Sequence, residues 1–467
     1  MSETNRYDVI IIGAGMSGLA AGIRLAYYEK KVLILEQHAL PGGLNSYYFR
    51  KGKIFDVGLH ALTNYVPKNK RRAPLNKLLR QLKLKWEDFS LIPQDFSLIK
   101  FPEVTLKFAN TPEILKEEIA TYFPGAIDGF NKLVDYIENY DPFSLEYKGF
   151  TSTREVLSRF IKETLLIEML LCPLMYYGSA WEQDIDFSQF VIMFRSIFLE
   201  GFSRPTDGVI RIINLLKDKY ITCGGELKFK AQVSEIITKD GQAFGVKLKN
   251  GEELLADKIL SSAGLCETYG LLPDKSRLKK FLPGELSFTE VILLLKHYLS
   301  DEGHRSAIIF YNDSKQFQYE KCNDFVGLES GVICSPDNFA YKEGMVRPAP
   351  ILRITNIANH QLWNKCDSKE IYQNKKDEWL AKIMAQLKTK VPLKDDNVDY
   401  IDMFTPKTVE KFTGHLHGAV YGSPQKIKDG QTEVKNLYIC GTDQGFLGII
   451  GALLSGVSMA NLHCLKE

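Results

Sequence analysis

Three glycines near the start of the chain have the spacing of a phosphate-binding turn. They lie in the run Gly13-Ala14-Gly15-Met16-Ser17-Gly18, between a β-branched stretch at residues 8–12 and a helix-forming stretch at residues 19–28. In such a turn the first glycine permits the bend, the second lets a pyrophosphate approach the backbone, and the third lets helix and strand pack closely. The spacing therefore predicts a dinucleotide site at Gly13, Gly15, Met16, Ser17 and Gly18, with the helix N-terminus facing the phosphates.

An acidic residue follows at the distance that this fingerprint requires. Residues 31–35 form a second apolar run, and Glu36 comes directly after it, 18 residues beyond Gly18. A carboxylate about 20 residues after the glycines accepts hydrogen bonds from ribose hydroxyls. Two more glycine-bearing turns follow, one with Gly43 and Leu44 and one ending at His60, and an NAD dehydrogenase would not need them. The N-terminal unit therefore favours FAD.

These residues, together with later motifs, resemble those of one group of flavoenzymes. The motifs are Pro41-Gly42-Gly43, Phe55-Asp56-Val57-Gly58-Leu59-His60, Asp207-Gly208, Gln232-Val233-Ser234-Glu235-Ile236 and Asn436-Leu437-Tyr438-Ile439-Cys440-Gly441-Thr442-Asp443. They are similar to motifs of FAD-dependent oxidoreductases that include phytoene desaturases, carotenoid cis-trans isomerases, retinol saturases and, more distantly, flavin amine oxidases. The match is discontinuous but extends over the whole chain.

The resemblance implies positions for the rest of the cofactor. It implies that the backbone of Val233 holds the adenine, and that Gly441 and Asp443 reach the ribityl and pyrophosphate region. Loss of Glu36 should lower FAD occupancy by removing ribose hydrogen bonds, and loss of Asp443 by removing contacts at the ribityl side. It also implies that a helix beginning at Gly448 directs its N-terminus, with Ile449 and Ile450, at the flavin ring. A helix N-terminus stabilises the negative charge that a reduced flavin carries near N1 and the C2 carbonyl.

The implied fold class is α/β, a discontinuous Rossmann-like FAD-binding domain of the GR2 type with an inserted α+β substrate domain. We predict that residues 1–60, 204–270 and 421–467 form the FAD-binding domain, and that residues 61–203 and 271–420 form the substrate domain with a helical lid. The first insertion is mostly helical in pattern. The second has strand-like runs at residues 288–295, 307–311, 327–334 and 351–357, and a helical pattern at residues 370–390.

Four polar residues adjoin the FAD-like segments, so we place them near the flavin: His60, His415, His417 and Tyr421. We predict that His60, His417 and Tyr421 are catalytic residues, which transfer a proton or orient the substrate. The alternative is that each is a structural hydrogen-bonding group in a glycine-flanked turn. No metal site is predicted, because the sequence places no third ligand beside His415 and His417.

Composition excludes several classes of function. Lys and Arg number 59 against 57 Asp and Glu, a net charge of +2 that lacks the strong positive field of nucleic-acid binding. No window has the about 18 uncharged apolar residues that a membrane helix needs, and no secretory signal or zinc spacing is present, which predicts a cytoplasmic protein with reduced thiols. Only one nucleotide fingerprint occurs, so no separate NAD(P)H domain is evident. The electron partner is therefore unknown.

Three functions remain open from the sequence. The leading hypothesis is a flavoenzyme that desaturates, saturates or isomerises carbon-carbon bonds of a lipophilic isoprenoid or polyene. The second is amine or amino-acid oxidation, which needs an aromatic cage or a carboxylate-binding arginine, and the sequence does not place Arg195, Arg204 or Arg353 there. The third is a non-catalytic lipid-binding module similar to the GDP-dissociation inhibitors, against which the intact Gly441-Thr442-Asp443 segment argues.

A basic segment at residues 68–86 contains eight Lys or Arg residues and no acid, interleaved with five leucines and Trp86. This pattern predicts peripheral docking on the inner face of a membrane, with basic side chains at an anionic leaflet and leucines buried in the interface. The alternative is a solvated helix whose leucines pack on the substrate domain.

Five phenylalanines recur at intervals of three or four in the first insertion, at Phe187, Phe190, Phe194, Phe198 and Phe202. Such spacing is typical of one buried face of a helix. The run is therefore interpreted as ordinary core in preference to the wall of a polyene tunnel.

Overall fold

The computed structural model describes residues 6–143 and 149–466. Its strands are β1 (Arg6–Ile12), β2 (Val32–Leu35), β3 (Tyr47–Arg50), β4 (Lys53–Asp56), β5 (Leu91–Pro93), β6 (Ser97–Lys100), β7 (Thr105–Phe108), β8 (Ser203–Pro205), β9 (Glu226–Lys228), β10 (Val233–Lys239), β11 (Gln242–Leu248), β12 (Glu253–Ser261), β13 (Ser287–Leu295), β14 (Ile308–Asn312), β15 (Ser330–Cys334), β16 (Ile351–Ala358), β17 (Val398–Phe404) and β18 (Leu437–Ile439). Its helices are α1 (Met16–Tyr27), α2 (Pro74–Leu82), α3 (Pro112–Tyr122), α4 (Ile127–Asn139), α5 (Thr153–Phe160), α6 (Thr164–Tyr176), α7 (Phe187–Phe194), α8 (Val209–Thr222), α9 (Leu265–Gly270), α10 (His360–Asn364), α11 (Lys369–Lys388), α12 (Pro406–Thr413) and α13 (Gly448–Met459).

The first sheet has a parallel centre, in which β1 lies between β2 and β12. Its order is β10-β11-β12-β1-β2-β9, and β18 pairs in parallel with the end of β12. The residues of β1 alternate between the two faces: Val9 and Ile11 pack under α1, α8 and α13, whereas Ile10 and Ile12 pack on the other side. A strand covered on both faces must be apolar throughout, which explains the continuous β-branched run in the sequence.

The second sheet has the order β17-β13-β16-β15-β14-β6-β7 and is antiparallel except where β14 pairs with β6. Helices α3 to α7 cover one face through a large aromatic core, and α11 covers the other through Trp379, Ile383 and Leu387. The first insertion is thus not only helical, because it supplies β6 and β7 to this sheet. Their runs of four residues are too short to be separated from loops by periodicity alone. The domain boundaries themselves stay a prediction.

The five phenylalanines predicted as core are buried. Neighbouring rings of Phe187, Phe190, Phe194 and Phe198 have centroids 5.2–5.9 Å apart along α7 and the π-helical turn that follows it.

The leucines of the basic segment are placed differently from both expectations for them. Leu75, Leu78, Leu79 and Leu82 of α2 are buried in the core that α1, α8 and α13 share, not in the substrate domain and not free to enter a bilayer. The basic side chains of the segment are exposed. None of the helices in the described ranges is long and apolar enough to cross a membrane.

Candidate active site

The predicted cofactor residues converge at one edge of the first sheet. Ile12 at the end of β1 is paired with Leu35 of β2 and Ser261 of β12, and Ser261 is paired with Ile439 of β18. Because these strands are parallel, the residues that follow them meet at the same edge. Gly13, Glu36 and Gly441 are therefore brought together from segments that are far apart in sequence.

Glu36 is buried at this edge with its carboxylate directed at the glycine turn. Its Oε2 accepts a hydrogen bond of 2.8 Å from the backbone N–H of Ala14, and its Oε1 accepts one of 2.8 Å from that of His38. A carboxylate has about four lone-pair positions, so two remain for ribose hydroxyls. The backbone carbonyl of Glu36 also accepts from Ala231 at 2.9 Å, which brings the start of β10, with Val233, to the same edge.

The glycine spacing has the physical basis that the fingerprint requires. A Cβ on Gly18 would collide with the carbonyl oxygen of Gly13, whereas a Cβ on Gly15 would meet nothing within 4 Å. The absence of a side chain at Gly18 thus lets α1 pack against the Gly13 turn. Its absence at Gly15 leaves open space beside the backbone. Gly43 lies against Gly15, where a Cβ would be 3.7 Å from the Gly15 Cα, and Leu44 follows it in a short 3-10 turn.

Two helices direct uncapped N-termini at this edge. Neither α1, which begins at Met16 and Ser17, nor α13, which begins at Gly448, Ile449 and Ile450, has a side-chain cap or an acidic residue in its first turn. The free N–H groups and the helix dipole favour an anion at each end. The residues present therefore fit a pyrophosphate at α1 and the electron-rich N1 and C2 carbonyl side of a flavin at α13.

Asp443 is buried among protein partners, and its contact with the ribityl chain stays a prediction. Its carboxylate accepts from the N–H of Leu265 at 2.6 Å and of Ser423 at 2.9 Å, and forms an ion pair of 3.1 Å with Lys426. The side chains of Asp443 and Lys426 are 2% and 8% exposed. Burial lowers the pKa of Lys426, and Asp443 opposes that shift. Asp443 thus ties three loops together beneath the site.

His60 belongs to a buried ionic network. Its Nε2 lies 3.0 Å from Thr355 Oγ1 and 3.3 Å from Glu290 Oε1. The Thr355 hydroxyl donates to Glu290, so it accepts from His60, which assigns the imidazole proton to Nε2 and leaves Nδ1 as a free acceptor within the described residues. Burial lowers the pKa of His60, which is therefore neutral near pH 7.

The network also fixes the turn that carries His60. Arg353 donates to Glu290 at 2.6 Å and to the carbonyls of Leu59 and Val57 at 2.7 and 2.6 Å. Burial alone would raise the pKa of Glu290, but the charge of Arg353 holds it below its usual value.

A second arginine reaches the same turn. Arg204 donates to the carbonyls of Leu59 and His60, each at 2.9 Å, and pairs with Asp56. Two buried arginines thus hold the turn at residues 56–60, Arg353 from β16 of the second sheet and Arg204 from β8, which pairs with β5.

Tyr421 shares a face of the second sheet with His60. Its ring centroid is 6.0 Å from that of Phe288, which is two residues before Glu290 on β13 and so points to the same side. Its hydroxyl donates to the carbonyl of Tyr176. Burial raises the pKa of Tyr421, so the hydroxyl stays protonated.

His417 is in a different place and does not join His60. Its ring stacks on His360 at 4.1 Å, and its Nδ1 lies 3.2 Å from Glu285, which also contacts His360 at 2.9 Å. The ligand atoms of these three residues lie within 4.8 Å of one another, and the group contains His417 but not His415. However, the parallel rings do not converge on one point, and the Lys321 ammonium is 3.2 Å from Glu285. The geometry is that of a polar cluster around the Glu285 carboxylate, in which Lys321 supplies the countercharge.

His415 lies closer to the nucleotide edge than His417 does. It is 3.6 Å from Glu267, at the start of α9, directly after the end of β12. Burial lowers the pKa of His415, but the nearby Glu267 carboxylate outweighs burial and raises it overall.

Several residues of the site carry no local sequence signal. Glu290, Thr355 and Lys426 are single polar residues in otherwise ordinary segments, and only the fold brings them to His60 or Asp443. Tyr177 is another: its hydroxyl is buried with no hydrogen-bond partner among the residues that the structure describes, and its ring is 5.0 Å from Phe202. A buried polar atom without a partner is visible only in three dimensions.

The fold and this edge define an FAD-dependent oxidoreductase, which confirms the predicted fold class, cofactor and enzyme character. The chain belongs to the flavin containing amine oxidoreductase family, whose model matches residues 16–462.

Individual relatives extend over nearly the whole chain. It is 26% identical to the chloroplastic prolycopene isomerase of Arabidopsis thaliana, over 97% of this chain and 82% of that protein. It is 23% identical to the all-trans-retinol 13,14-reductase of Danio rerio, over 97% of this chain and 85% of that protein. The crystal structure of an oxidoreductase from Methanosarcina mazei has the same fold, with a TM-score of 0.67 and 16% identity over 97% of this chain and 99% of that one.

Replacing Glu36 by alanine is expected to weaken FAD binding roughly tenfold to hundredfold, because each charged hydrogen bond lost costs about 1.5–3 kcal/mol. The measurement is the dissociation constant of FAD from reconstituted apoprotein. Glu253→Ala, an exposed acid at the start of β12, is the control and should bind normally. Full flavin retention by Glu36→Ala would show that this carboxylate does not hold the ribose.

Proposed function

We propose that this enzyme acts on carbon-carbon bonds of a lipophilic isoprenoid or polyene, by desaturation, saturation or isomerisation. The relatives that match it over most of its length are named for substrates of this kind, prolycopene and all-trans-retinol. Bound FAD supplies a hydride acceptor or donor at N5. The chain has to hold the substrate in register and exclude water.

The observation that carries this proposal is that the arginines beside the site are already engaged. Arg204 and Arg353 are buried and hold Asp56, Glu290 and the carbonyls of Val57, Leu59 and His60. Arg195 donates to the carbonyls of Ile137, Glu138 and Tyr140. None is available to bind a substrate carboxylate, which argues against amino-acid oxidation.

The remaining groups suit an apolar substrate. Phe202, Phe288 and Phe310 form part of the aromatic core beside Tyr177 and Tyr421. We assign His60 as the residue that accepts a proton or orients the substrate through Nδ1, and Tyr177 and Tyr421 as neutral groups beside it. His417, which is a third exposed and lies in another cluster, is assigned a structural role.

Anaerobic mixing of the holoenzyme with candidate polyenes tests the proposal. A desaturase substrate should bleach the oxidised flavin, a saturase substrate should reoxidise flavin that has been reduced beforehand, and an isomerase should convert its substrate without net flavin change. Product analysis by chromatography separates the three. Bleaching by primary amines, with no conversion of any polyene, would overturn the proposal in favour of amine oxidation.

We also propose that the enzyme attaches to anionic membrane surfaces through the basic residues of segment 68–86. Arg71, Arg72, Arg80 and Lys85 surround a recess of about 600 Å³ at the surface. Each basic side chain near an anionic leaflet contributes about 1 kcal/mol. Because the leucines of α2 are buried, this attachment is electrostatic and does not involve their insertion.

Flotation with liposomes is expected to require anionic lipid and to weaken with salt through screening. Changing Lys70, Arg71, Arg72 and Lys77 together to Gln should abolish most binding. The matched control changes four exposed lysines on and after α11 to Gln, with the same loss of charge: Lys369, Lys382, Lys388 and Lys394. Equal flotation of the two variants would contradict a role for segment 68–86.

A further inference from the structure

The recess at the basic segment is formed by three parts of the chain. One wall is the loop at residues 68–72, the base includes Asn76, Leu79 and Arg80 of α2, and the other wall is the turn at residues 84–87. Its volume of about 600 Å³ lies within the range of about 300–1,000 Å³ that is typical of small-molecule sites. The recess is therefore large enough for a phosphate together with part of an organic group.

The recess has a large excess of positive charge. Lys68 and Glu87 both line it and form an ion pair with each other. Its other basic side chains are exposed, and none of them forms an ion pair within the described residues: Arg71, Arg72, Arg80 and Lys85. An anion in the recess would therefore accept charge-assisted hydrogen bonds, which are roughly twice as strong as neutral ones.

Hydrogen bonds hold the loop wall in place over α2. Asn76 is 7% exposed, and its Nδ2 donates to the carbonyls of Pro67 and Lys70 at 3.2 and 2.9 Å. The Nη1 of Arg80 donates to the carbonyl of Arg71 at 2.6 Å, which joins the helix to the same loop. A ligand thus meets a wall whose backbone is already fixed, which lowers the entropic cost of binding.

The remaining groups of the recess recognise no second polar group. Leu79 and Leu84 are apolar, and the indole N–H of Trp86 donates to the carbonyl of Val66 at 3.2 Å. The carboxylate of Glu87 is engaged by Lys68. No uncommitted carboxylate of the lining remains to bind the amino group of a nucleotide base or the ammonium of a zwitterionic headgroup. The recess suits a ligand that is anionic at one end and hydrocarbon elsewhere.

A phosphomonoester matches this charge better than a phosphodiester does. It carries a charge of about −1.5 to −2 near neutral pH and has three terminal oxygens that accept hydrogen bonds, whereas a diester has a single charge. We propose that the recess binds the headgroup of phosphatidic acid, with the phosphate among Arg71, Arg72 and Arg80 and the glycerol against Leu84 and Trp86. This inference rests on the proposed attachment to anionic membranes and specifies the lipid that is recognised.

The surroundings of the recess favour a lipid as the source of the phosphate. Lys70 and Lys77 are exposed on the same segment but do not line the recess. Their charges attract an anionic bilayer without contacting the bound headgroup. A small soluble phosphate would gain little from them, because exposed charges are screened by salt.

Flotation with two kinds of vesicle tests the proposal. One contains phosphatidylcholine with phosphatidic acid, and the other contains phosphatidylcholine with enough phosphatidylglycerol to give the same electrophoretic mobility. The surface charge is then equal, but only phosphatidic acid has a phosphomonoester. We expect the holoprotein to bind the phosphatidic acid vesicles about tenfold more tightly. ADP, at a concentration equal to that of the accessible phosphatidic acid, should not release it.

Two double variants separate the recess from the general charge of the segment. Arg71→Gln with Arg72→Gln should remove the preference, so that the two kinds of vesicle bind alike. The matched control is Lys70→Gln with Lys77→Gln, which removes the same charge at exposed positions outside the recess. The control should weaken binding to both vesicles by the same factor and keep the tenfold preference. Flavin absorbance reports whether each variant is folded.

Three results would overturn the proposal: equal binding of the two vesicles by the unaltered protein, an equal loss of preference in the two double variants, or release by ADP. Equal binding of the two vesicles would reject the phosphatidic acid site and leave the proposed membrane attachment standing. Absence of flotation with either lipid would reject both. None of these measurements depends on the conversion of a polyene.

Discussion

Asp443→Ala is expected to lower the free energy of unfolding by about 3–5 kcal/mol, because it leaves the Lys426 ammonium buried without its countercharge. The loss should be measured by urea denaturation of the apoprotein, so that FAD does not contribute. The N–H groups of Leu265 and Ser423 lose their acceptor in the same variant. Unchanged stability would show that the ion pair is solvated.

The double variant Asp443→Ala with Lys426→Met separates two roles of this aspartate. Removing both charges should restore much of the stability, since a buried ion pair can often be replaced by apolar groups at little cost. If FAD occupancy returns together with stability, Asp443 positions the loops. If stability returns and occupancy does not, the carboxylate contacts the cofactor, as the sequence resemblance implies.

Arg353→Met is the second variant for which we expect a large loss of stability. It leaves Glu290 buried with its charge unpaired and removes the donor to the carbonyls of Val57 and Leu59. We expect a loss of about 3–5 kcal/mol in the free energy of unfolding.

The pH dependence and a control distinguish this network from general damage. Glu290 has a lowered pKa in the folded state, so its stabilising contribution is present above the unfolded pKa and is lost as the pH falls through the folded one. Arg353→Met should therefore reduce the acid-induced loss of stability. Arg305→Met, at an exposed position just before β14, should change stability by no more than about 0.5 kcal/mol. A similar loss in both variants would contradict the prediction.

The N-terminal half of the cofactor site could be predicted because its signals are local. Gly13, Gly15, Gly18 and Glu36 lie within one strand-helix-strand unit, where spacing alone determines which residues meet. The starts of α8 after Gly208, of β10 at Val233 and of α13 at Gly448 also agree with the sequence expectations. The starts of α8 and α13 each have a glycine directly beside an apolar run.

The surroundings of His60 could not be predicted in this way, because the contacts there join segments that are distant in sequence. His60 and Glu290 are neighbours only because β13 passes behind the turn at residues 57–60. The sequence likewise groups His415 with His417, whereas the left-handed backbone at His417 directs the two residues to different carboxylates. The spacing of two residues in a turn does not determine the directions in which their side chains point.

The pairing of β18 with β12 has a consequence for how the protein is made. The sheet edge that receives the cofactor uses β1 and β18, which are separated by roughly 400 residues of chain. At about 5–20 residues per second, a ribosome needs tens of seconds between them. During that time β1 and α1 are present without α13, and the apolar surface that α13 later covers is open to water and to other chains. The edge that receives FAD is therefore complete only after β18 and α13 have been made.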